Sequence, residues 1–291
     1  MSPFVYLVTE GVHDVAFLGK LLAVVFGAKR IKKLEELPEP FPQWLKTFNW
    51  PRKTGKHHDI ERLAVPAPEF HLLSSNEIVI IRNAQGITEI HKTILLDDEA
   101  FVRLQQRPTA IGIFLDSDEQ APAARFADMT SKLAQLSLPV PVELGAVTST
   151  APRTGVFSFP EPGCAGTLED VLLPLGKTAY PELHADAVAL VDNWKKKVIL
   201  NANAAVDNDG SSSFDPNSAD WKELRKPAGA KKATLGAMTA ILKPGKALQT
   251  SLVDNRWLSA PARGIECLKP CIDFLDQLLM PNPSLTPPHT P

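Results

Sequence analysis

Two apolar runs that end in acidic residues constrain the fold of this chain more than any other feature. The first run, residues 4–9, reads Phe-Val-Tyr-Leu-Val-Thr and leads into Glu10. The second run, residues 111–115, reads Ile-Gly-Ile-Phe-Leu and leads into Asp116 and Asp118. Both are rich in β-branched and aromatic residues, as buried strands are. Sites in open parallel sheets form beyond the carboxyl ends of the strands, so these acids stand where a site is expected.

Strand-like and helix-like segments alternate along the first half of the chain. Residues 77–81 and 155–159 also have the character of strands, and apolar residues at helical spacing follow the strands at 4–8, 77–81 and 110–115. This alternation favours a mainly parallel sheet flanked by helices. After residue 174 the pattern is mostly helical.

The segment that follows the first helix differs from its surroundings. Residues 29–69 combine many Lys and Arg residues with Phe, Trp and Pro. We expect an irregular insertion with one short helix, because connections of this length without regular structure are usually functional or mobile. The expected organisation is therefore an α/β domain over 1–175 with this insertion, a helical region over 176–280 that packs on it, and a disordered, proline-rich tail at 281–291.

The acids near the N-terminus admit a structural explanation as well as a chemical one. Glu10 precedes Gly11, and a carboxylate in that position often forms a turn or caps a helix. Asp14 presents to the same side if a helix starts at Gly11, but the helix dipole alone also favours an aspartate in a first turn. Both alternatives stay open for these two residues.

The Asp116-Ser117-Asp118 segment is a sharper indication of a metal site. Residues two apart in an extended chain face the same way. Two adjacent carboxylates repel each other unless a cation compensates them, and Mg²⁺ prefers oxygen ligands. The alternative is a solvated loop whose acids cap the next helix.

Two clusters in the second half of the chain carry a weaker indication. Glu169 and Asp170 follow Thr167, which could simply cap a helix that begins there. Lys231 and Lys232 lie in a basic patch, and a lysine near a phosphoryl centre would stabilise developing negative charge. The alternative for both lysines is a solvated helix face.

Composition and missing motifs exclude several classes of protein. The chain is 44% hydrophobic with a formal net charge of -2, which is typical of a globular protein with no global attraction to nucleic acid. Its three cysteines suit free thiols better than a disulfide framework. The sequence contains no P-loop, no Gly-x-Ser-x-Gly and no His-Glu-x-x-His motif. We find no signal peptide and no membrane span, and therefore expect a cytoplasmic protein.

The acidic signatures resemble those of the Toprim domain, which is shared by topoisomerases, primases and certain nucleases. The resemblance rests on Glu10-Gly11 after an apolar strand and on a later strand that ends in Asp116-x-Asp118. The stretch Val-Thr-Glu-Gly-x-x-Asp-x-x-Phe-Leu at 8–18 is similar to stand-alone Toprim-like proteins of unknown function and to the Toprim half of OLD-family nucleases. The resemblance covers residues 1–175 and implies a Toprim-like Rossmannoid α/β fold with a helical C-terminal region.

The resemblance also implies a site that holds two Mg²⁺ or Mn²⁺ ions and cleaves phosphodiesters in DNA or RNA. The implied metal ligands are Glu10, Asp14, Asp116, Asp118, Glu169 and Asp170, and the implied catalytic residues are Glu10 and Lys232. The insertion would follow a nucleic acid backbone, with Trp44 or Trp50 stacked on a base. The residues expected to contact nucleic acid are Trp50, Lys53, Lys56, Arg82 and Lys231.

Other functions and partners stay open at this point. A non-catalytic Toprim-like module would bind nucleic acid, a nucleotide or a protein and would regulate rather than hydrolyse. An enzyme that acts on a small phosphorylated molecule is a third hypothesis. A homodimer and a partner protein encoded in the same operon are both compatible with the sequence.

Overall fold

The computed structural model describes residues 3–48, 53–54, 57–58, 67–118, 120–203, 221–259 and 261–279. The expected contacts at Trp50 and Lys56 and the expected disordered tail lie outside these ranges. The chain divides into two compact units. We call them the sheet unit, which comprises Met1–Gly166 and Ser259–Pro291, and the helical unit, which comprises Thr167–Leu258.

The sheet unit is built on a mixed sheet of six strands, which confirms the expected α/β fold. The strands described in chain order are β1 (Phe4–Thr9), β2 (Lys29–Ile31), β3 (Lys53–Thr54), β4 (His57–His58), β5 (Glu69–Leu72), β6 (Ile78–Asn83), β7 (Ala110–Asp116) and β8 (Arg153–Phe159). The main sheet has the order β2-β5-β6-β1-β7-β8, and β3 pairs with β4 separately. Strands β6, β1, β7 and β8 are parallel, whereas β5 runs antiparallel to both of its neighbours.

Helices flank this sheet. In the helical unit, the described regular structure consists of helices alone. The described helices in chain order are α1 (Val12–Phe26), α2 (Phe41–Leu45), α3 (Ile90–Arg103), α4 (Pro122–Gln135), α5 (Leu168–Ala179), α6 (Pro181–Asn203), α7 (Lys222–Arg225), α8 (Pro227–Leu242), α9 (Leu248–Asp254) and α10 (Lys269–Leu279). Helices α5 to α9 lie in the helical unit, and the others lie in the sheet unit. Among the described residues, no helix is both long enough and apolar enough to cross a bilayer.

Alternation along the strands separates two apolar faces of the sheet. On one face Phe4, Tyr6 and Val8 belong to a core cluster that also contains residues of α2, α3 and α4. On the other face Phe17 of α1 packs against Phe159, with ring centroids 5.7 Å apart. Side chains at successive strand positions point to opposite faces, so the near-continuous apolar runs are what a sheet covered on both sides requires.

Helix α10 returns to the sheet from the far end of the chain. Its Phe274 lies 5.4 Å from the ring of Phe114 and 5.4 Å from that of Phe157. Glycine permits this approach, because a Cβ atom built on Gly155 would lie 2.6 Å from Cε2 of Phe274. Arg153 donates hydrogen bonds to two carbonyl groups at the end of α10, at 2.8 and 2.9 Å.

The two units divide the chain differently from the expected boundary after residue 175. The division falls between Gly166 and Thr167 and again between Leu258 and Ser259. The mostly helical character after residue 174 is confirmed. A single boundary in the sequence cannot assign α10 to the sheet unit. That assignment depends on contacts between residues that are distant in the sequence.

The expected irregular insertion is partly regular. It contains β2 and α2, and β5 begins at its end. Of the two tryptophans expected to stack on a base, Trp44 cannot do so, because its side chain is 1% exposed and packs among Phe48, Phe70 and Phe101. Trp50 lies outside the described residues. Part of the aromatic pattern of the insertion therefore belongs to the core.

Candidate functional site

The carboxyl ends of three neighbouring parallel strands meet at one edge of the sheet. Thr9, the last residue of β1, is in register with Asn83 of β6 and with Phe114 of β7. The loop after β6 is tied to the end of β1, because Ala84 N donates to Thr9 O and Gly86 N donates to Glu10 O, each at 2.9 Å. We call this region the carboxyl edge; it comprises Thr9–Asp14, Asn83–Gly86 and Asp116–Asp118.

Glu10 and Asp116 lie side by side at the carboxyl edge. The Oε2 atom of Glu10 accepts a long hydrogen bond of 3.5 Å from the backbone N–H of Asp116. Both residues are half-buried. Two acids that are distant in the sequence are therefore brought together at adjacent strand ends, as the signatures of the two apolar runs led us to expect.

Asp14 is used in starting helix α1. Its Oδ2 atom accepts a hydrogen bond of 2.8 Å from the backbone N–H of Gly11, and the residue is 6% exposed. This contact satisfies a donor that the first turn of a helix leaves without an intrahelical partner. One carboxylate oxygen of Asp14 therefore caps the helix, and the residue is buried rather than an exposed first-turn aspartate; its metal-binding role stays a prediction.

Asp118 does not continue the extended geometry of β7. The strand ends at Asp116, and Asp118 has a φ of 50°, a left-handed conformation that aspartate tolerates better than most residues. The rule that residues two apart face the same way holds only in extended chain, so it does not place Asp118 beside Asp116. Its carboxylate accepts a hydrogen bond of 3.2 Å from Arg125 of α4, so a cation that the sequence analysis missed compensates this acid.

The residue between the two aspartates points into the protein. Ser117 is 0% exposed, and its hydroxyl group makes a short hydrogen bond with the hydroxyl group of Ser158 on β8. This contact fixes the end of β7 against β8 directly beside Asp116. The sequence analysis missed Ser158, because only the pairing of β7 with β8 places it there.

The remaining expected metal ligands, together with Lys231 and Lys232, lie in the helical unit. Asp170 accepts a hydrogen bond of 3.0 Å from the backbone N–H of Thr167 and forms an ion pair of 2.6 Å with Lys231. Lys232 is exposed. Glu169 is 7% exposed, and its Oε2 atom is buried with no hydrogen-bond partner among the described residues. Such a buried oxygen is costly and needs a partner such as water or a cation.

Arg82, expected to contact nucleic acid, is part of a polar cluster with the buried residues Asp97 and Tyr6, and its contact with nucleic acid stays a prediction. Its Nε atom donates to Asp97 at 3.1 Å, and its guanidinium carbon lies 4.8 Å from the ring centre of Phe48. Asp97 also accepts a short hydrogen bond from the hydroxyl group of Tyr6. Burial raises the pKa of both acidic groups; Asp97 raises that of Tyr6 further, whereas Arg82 opposes the shift at Asp97.

The other residues expected to contact nucleic acid are only partly described. Lys53 lies on β3, and Lys231 is engaged with Asp170. The surface basic residues that are described include Lys29, Lys33 and Lys46, all of which are exposed. The segment from Lys29 to Lys46 also exposes Glu35, Glu36 and Glu39, so its surface carries both signs of charge.

A hard cation at the carboxyl edge would be held by carboxylate oxygens. Glu10 and Asp116 offer the carboxylate oxygens that Mg²⁺ prefers, and Mg²⁺ typically uses one or two protein carboxylates and keeps several waters. Over the ranges that the structure describes, no group of three or more His, Cys, Asp or Glu residues is gathered in a geometry that could hold a metal. The fit therefore rests on the Glu10 and Asp116 pair.

Comparisons with known proteins place the chain in a family whose function is not established. Residues 5–279 match the family model described as "Protein of unknown function (DUF3226)". The fold is similar, at a TM-score of 0.43 and 15% identity over 95% of each chain, to the crystal structure of a hypothetical protein from Pyrococcus horikoshii OT3. No curated protein matches the chain significantly.

Proposed function

The chain belongs to the DUF3226 family of proteins of unknown function, and we propose that it is a Toprim-like, Mg²⁺-dependent nuclease that hydrolyses phosphodiester bonds in DNA or RNA. The reaction would take place at the carboxyl edge of the sheet. The acidic signatures that resemble those of Toprim domains supply the reaction class, and the geometry of the sheet supports their proximity.

A single observation carries this proposal. Glu10 follows β1 and Asp116 ends β7, and Glu10 Oε2 lies 3.5 Å from Asp116 N. The two residues that the resemblance names as metal ligands are therefore neighbours at the carboxyl ends of adjacent parallel strands, where sites form in such sheets. Carboxylate oxygens are also the ligands that Mg²⁺ prefers.

Each residue of the proposed site has a distinct part. Glu10 and Asp116 would hold the metal, which when bound supplies a Lewis acid and an activated water. The buried contact between Ser117 and Ser158 fixes the end of β7, so that Asp116 is oriented before the metal binds. The parts that the resemblance assigns to Asp14, Asp118, Glu169, Asp170 and Lys232 stay predictions.

The nucleic acid substrate follows from the resemblance to Toprim nucleases, and exposed lysines would contribute contacts to it. Lys29, Lys33 and Lys46 are exposed from β2 to the end of α2, alongside the exposed acids Glu35, Glu36 and Glu39. Phosphate groups are bound by local clusters of Lys and Arg, and binding of this kind weakens as the salt concentration rises. We therefore expect cleavage at low substrate concentration to slow markedly between 50 and 200 mM salt, as is typical of such contacts.

The decisive test is the substitution Asp116→Ala, assayed on single-stranded and double-stranded oligonucleotides with Mg²⁺ or Mn²⁺. We expect a loss of cleavage of at least about 100-fold, because the residue would bind the metal directly. Asp128→Ala is the matched control, since Asp128 is an exposed acid of the sheet unit that pairs with Lys132 on the surface of α4. Unchanged cleavage by a folded Asp116→Ala variant would contradict the proposal.

One observation favours a non-catalytic alternative. The pair between Asp118 and Arg125 supplies a protein cation where the resemblance implies a metal ligand. A Toprim-like scaffold with its acids compensated internally would bind nucleic acid or regulate a partner without hydrolysis. The same assay separates the two functions, since this alternative predicts binding of oligonucleotides without any metal-dependent cleavage by the wild-type protein.

A further inference from the structure

A cavity of about 170 Å³ lies in the sheet unit, between the sheet, helix α3 and the end of helix α4. We call it the α3–α4 cavity. Tyr6 of β1 and Ile111 of β7 line it from the sheet, and Ile94 and Phe101 line it from α3. Each of these four side chains is at most 3% exposed and belongs to the core cluster. The inner part of the cavity is therefore largely apolar.

The α3–α4 cavity also has a polar side that reaches solvent. Asp98 lines the cavity with a side chain that is 38% exposed, and the exposed residues Gln135 and Ser137 line it around the end of α4. Arg107 donates to Oδ1 of Asp98 at 2.7 Å, which uses only part of the acceptor capacity of this carboxylate. A molecule in the cavity can therefore bury an apolar part and keep a polar part near solvent.

The size and the lining of the cavity both suit one aromatic ring. A protein cavity of roughly 150 Å³ lined by Leu, Ile and Phe binds benzene. The rings of Tyr6 and Phe101 lie edge to face, with centroids 5.4 Å apart and an interplanar angle of 83°. Aromatic rings prefer such contacts, so a third ring would extend this cluster. Drug-sized ligands need about 300–1,000 Å³ and are too large.

We propose that the α3–α4 cavity is a binding site for a small molecule that has a single aromatic ring and one polar substituent that donates a hydrogen bond. The ring lies in the apolar part, against Tyr6, Phe101 and Ile111. The substituent lies on the polar side and donates to the carboxylate of Asp98. Phenols have this chemistry.

The cavity is separate from the carboxyl edge and does not depend on the proposed function. Tyr6 precedes Glu10 by four residues, and Ile111 precedes Asp116 by five. At a rise of about 3.3 Å per residue, these lining residues lie roughly 13–17 Å from the two acids along their strands. Binding in the cavity requires no metal, so this inference goes beyond the nuclease activity.

The first test is a calorimetric titration of phenol and of toluene into the whole wild-type protein. The two probes have nearly the same shape, but only phenol donates a hydrogen bond. We expect saturable binding of both, with one molecule per chain. Each probe should also raise the unfolding temperature as its concentration rises, because a ligand that binds only the folded state stabilises it.

A substitution that fills the cavity tests the location. Leu136 is a half-buried lining residue, and Leu136→Phe adds volume there. We expect it to weaken the binding of both probes at least about tenfold, because the buried position of the ring is lost. Leu96→Phe is the matched control, since Leu96 is 64% exposed on α3 and does not line the cavity. It should bind both probes as the wild type does.

A second substitution tests the hydrogen bond. Asp98→Ala should weaken the binding of phenol about fivefold and leave that of toluene unchanged, because only phenol donates to the carboxylate. Glu99→Ala is the matched control, since Glu99 is the next residue of α3, is 54% exposed and pairs with Arg103. It should leave the binding of both probes unchanged.

The position of the ring is measured directly in wild-type crystals soaked in para-bromophenol, which needs no variant that folds. We expect an anomalous bromine peak in the α3–α4 cavity. A peak only elsewhere, or a folded Leu136→Phe variant that binds both probes as the wild type does, would place the binding outside the cavity and overturn the proposal.

The remaining outcomes separate this inference from the proposed function. If the wild type binds neither probe saturably, the cavity is not a binding site, and the nuclease assay, which contains no probe, is unaffected. If Asp98→Ala binds phenol as the wild type does, the assigned ligand class is wrong. If the probes bind as expected but Mg²⁺-dependent cleavage is absent, the proposed function fails alone.

Discussion

Two acids in the sheet unit, one in its interior and one at its carboxyl edge, are stabilised in different ways. Asp97 of α3 is 5% exposed and accepts hydrogen bonds from Tyr6 and Arg82. Asp116 is half-buried at the end of β7, and its backbone amide faces the carboxylate of Glu10. In the interior a cation and a hydroxyl group hydrogen-bond to the carboxylate of Asp97, whereas at the edge the carboxylate of Glu10 accepts a long hydrogen bond from the backbone of Asp116.

This difference separates residues that maintain the fold from residues that carry the proposed chemistry. A buried carboxylate without partners is costly, so the partners of Asp97 are needed for stability. The carboxyl edge is where we propose that the metal binds, and residues of a functional site are commonly retained at some cost in stability. Substitutions in the interior should therefore change stability, and substitutions at the edge should change metal binding and activity.

The largest contrast is expected between Asp97→Ala and Asp116→Ala. We expect Asp97→Ala to lower the free energy of unfolding by about 3 kcal/mol, because it leaves the buried Tyr6 hydroxyl group and Arg82 without their shared partner. Asp116→Ala should change it by no more than about 0.5 kcal/mol. Urea denaturation of both variants provides the measurement. Equal losses of stability would remove the distinction between interior and edge.

A smaller loss of stability is expected where α10 approaches the sheet. Gly155→Ala would place a methyl group 2.6 Å from the ring of Phe274, and overpacking of this kind costs about 2 kcal/mol. Gly236→Ala is the matched control, because its Cβ atom would meet nothing within 4 Å and the residue lies inside α8. The control should gain about 0.5 kcal/mol in stability. If thermal unfolding shows no loss for Gly155→Ala, α10 does not pack on β8 as described.

The smallest expected effect is a dependence on pH. Burial raises the pKa of Asp97 from its usual value of 3.8, so its protonated form is favoured by folding. The stability of the wild type relative to Asp97→Asn should be greatest below about pH 4 and should decline as the pH rises through the folded-state pKa. Denaturation of both proteins across acidic pH measures this difference. The opposite trend would mean that the attraction of Arg82 outweighs burial.

Sequence patterns were sufficient for most of the sheet unit. The runs before Glu10 and Asp116 are strands, and residues 78–81 and 155–159 also lie in strands. They were predictable because a strand covered on both faces is apolar throughout, which is a local property of the sequence. The proximity of Glu10 and Asp116 followed from a general rule about the carboxyl ends of parallel strands.

The features that the sequence analysis missed depend on contacts between distant residues. Strand β2 has only three residues and is recognised by its pairing with β5, and Trp44 is buried because Phe70 and Phe101 surround it. Arg125 is one of many arginines in the sequence, and only the left-handed turn at Asp118 brings an acid to it. No local pattern reports such pairings.

The most direct test of the central claim is anomalous diffraction from crystals soaked in Mn²⁺. The account predicts an ion at the carboxyl edge, with oxygens of Glu10 and Asp116 about 2.0–2.2 Å away, which is near the distance for Mg²⁺. Soaked crystals of Asp116→Ala should lose that peak. A saturating soak that leaves both carboxylates without an ion, in a protein that still cleaves nucleic acid with Mn²⁺, would contradict the account.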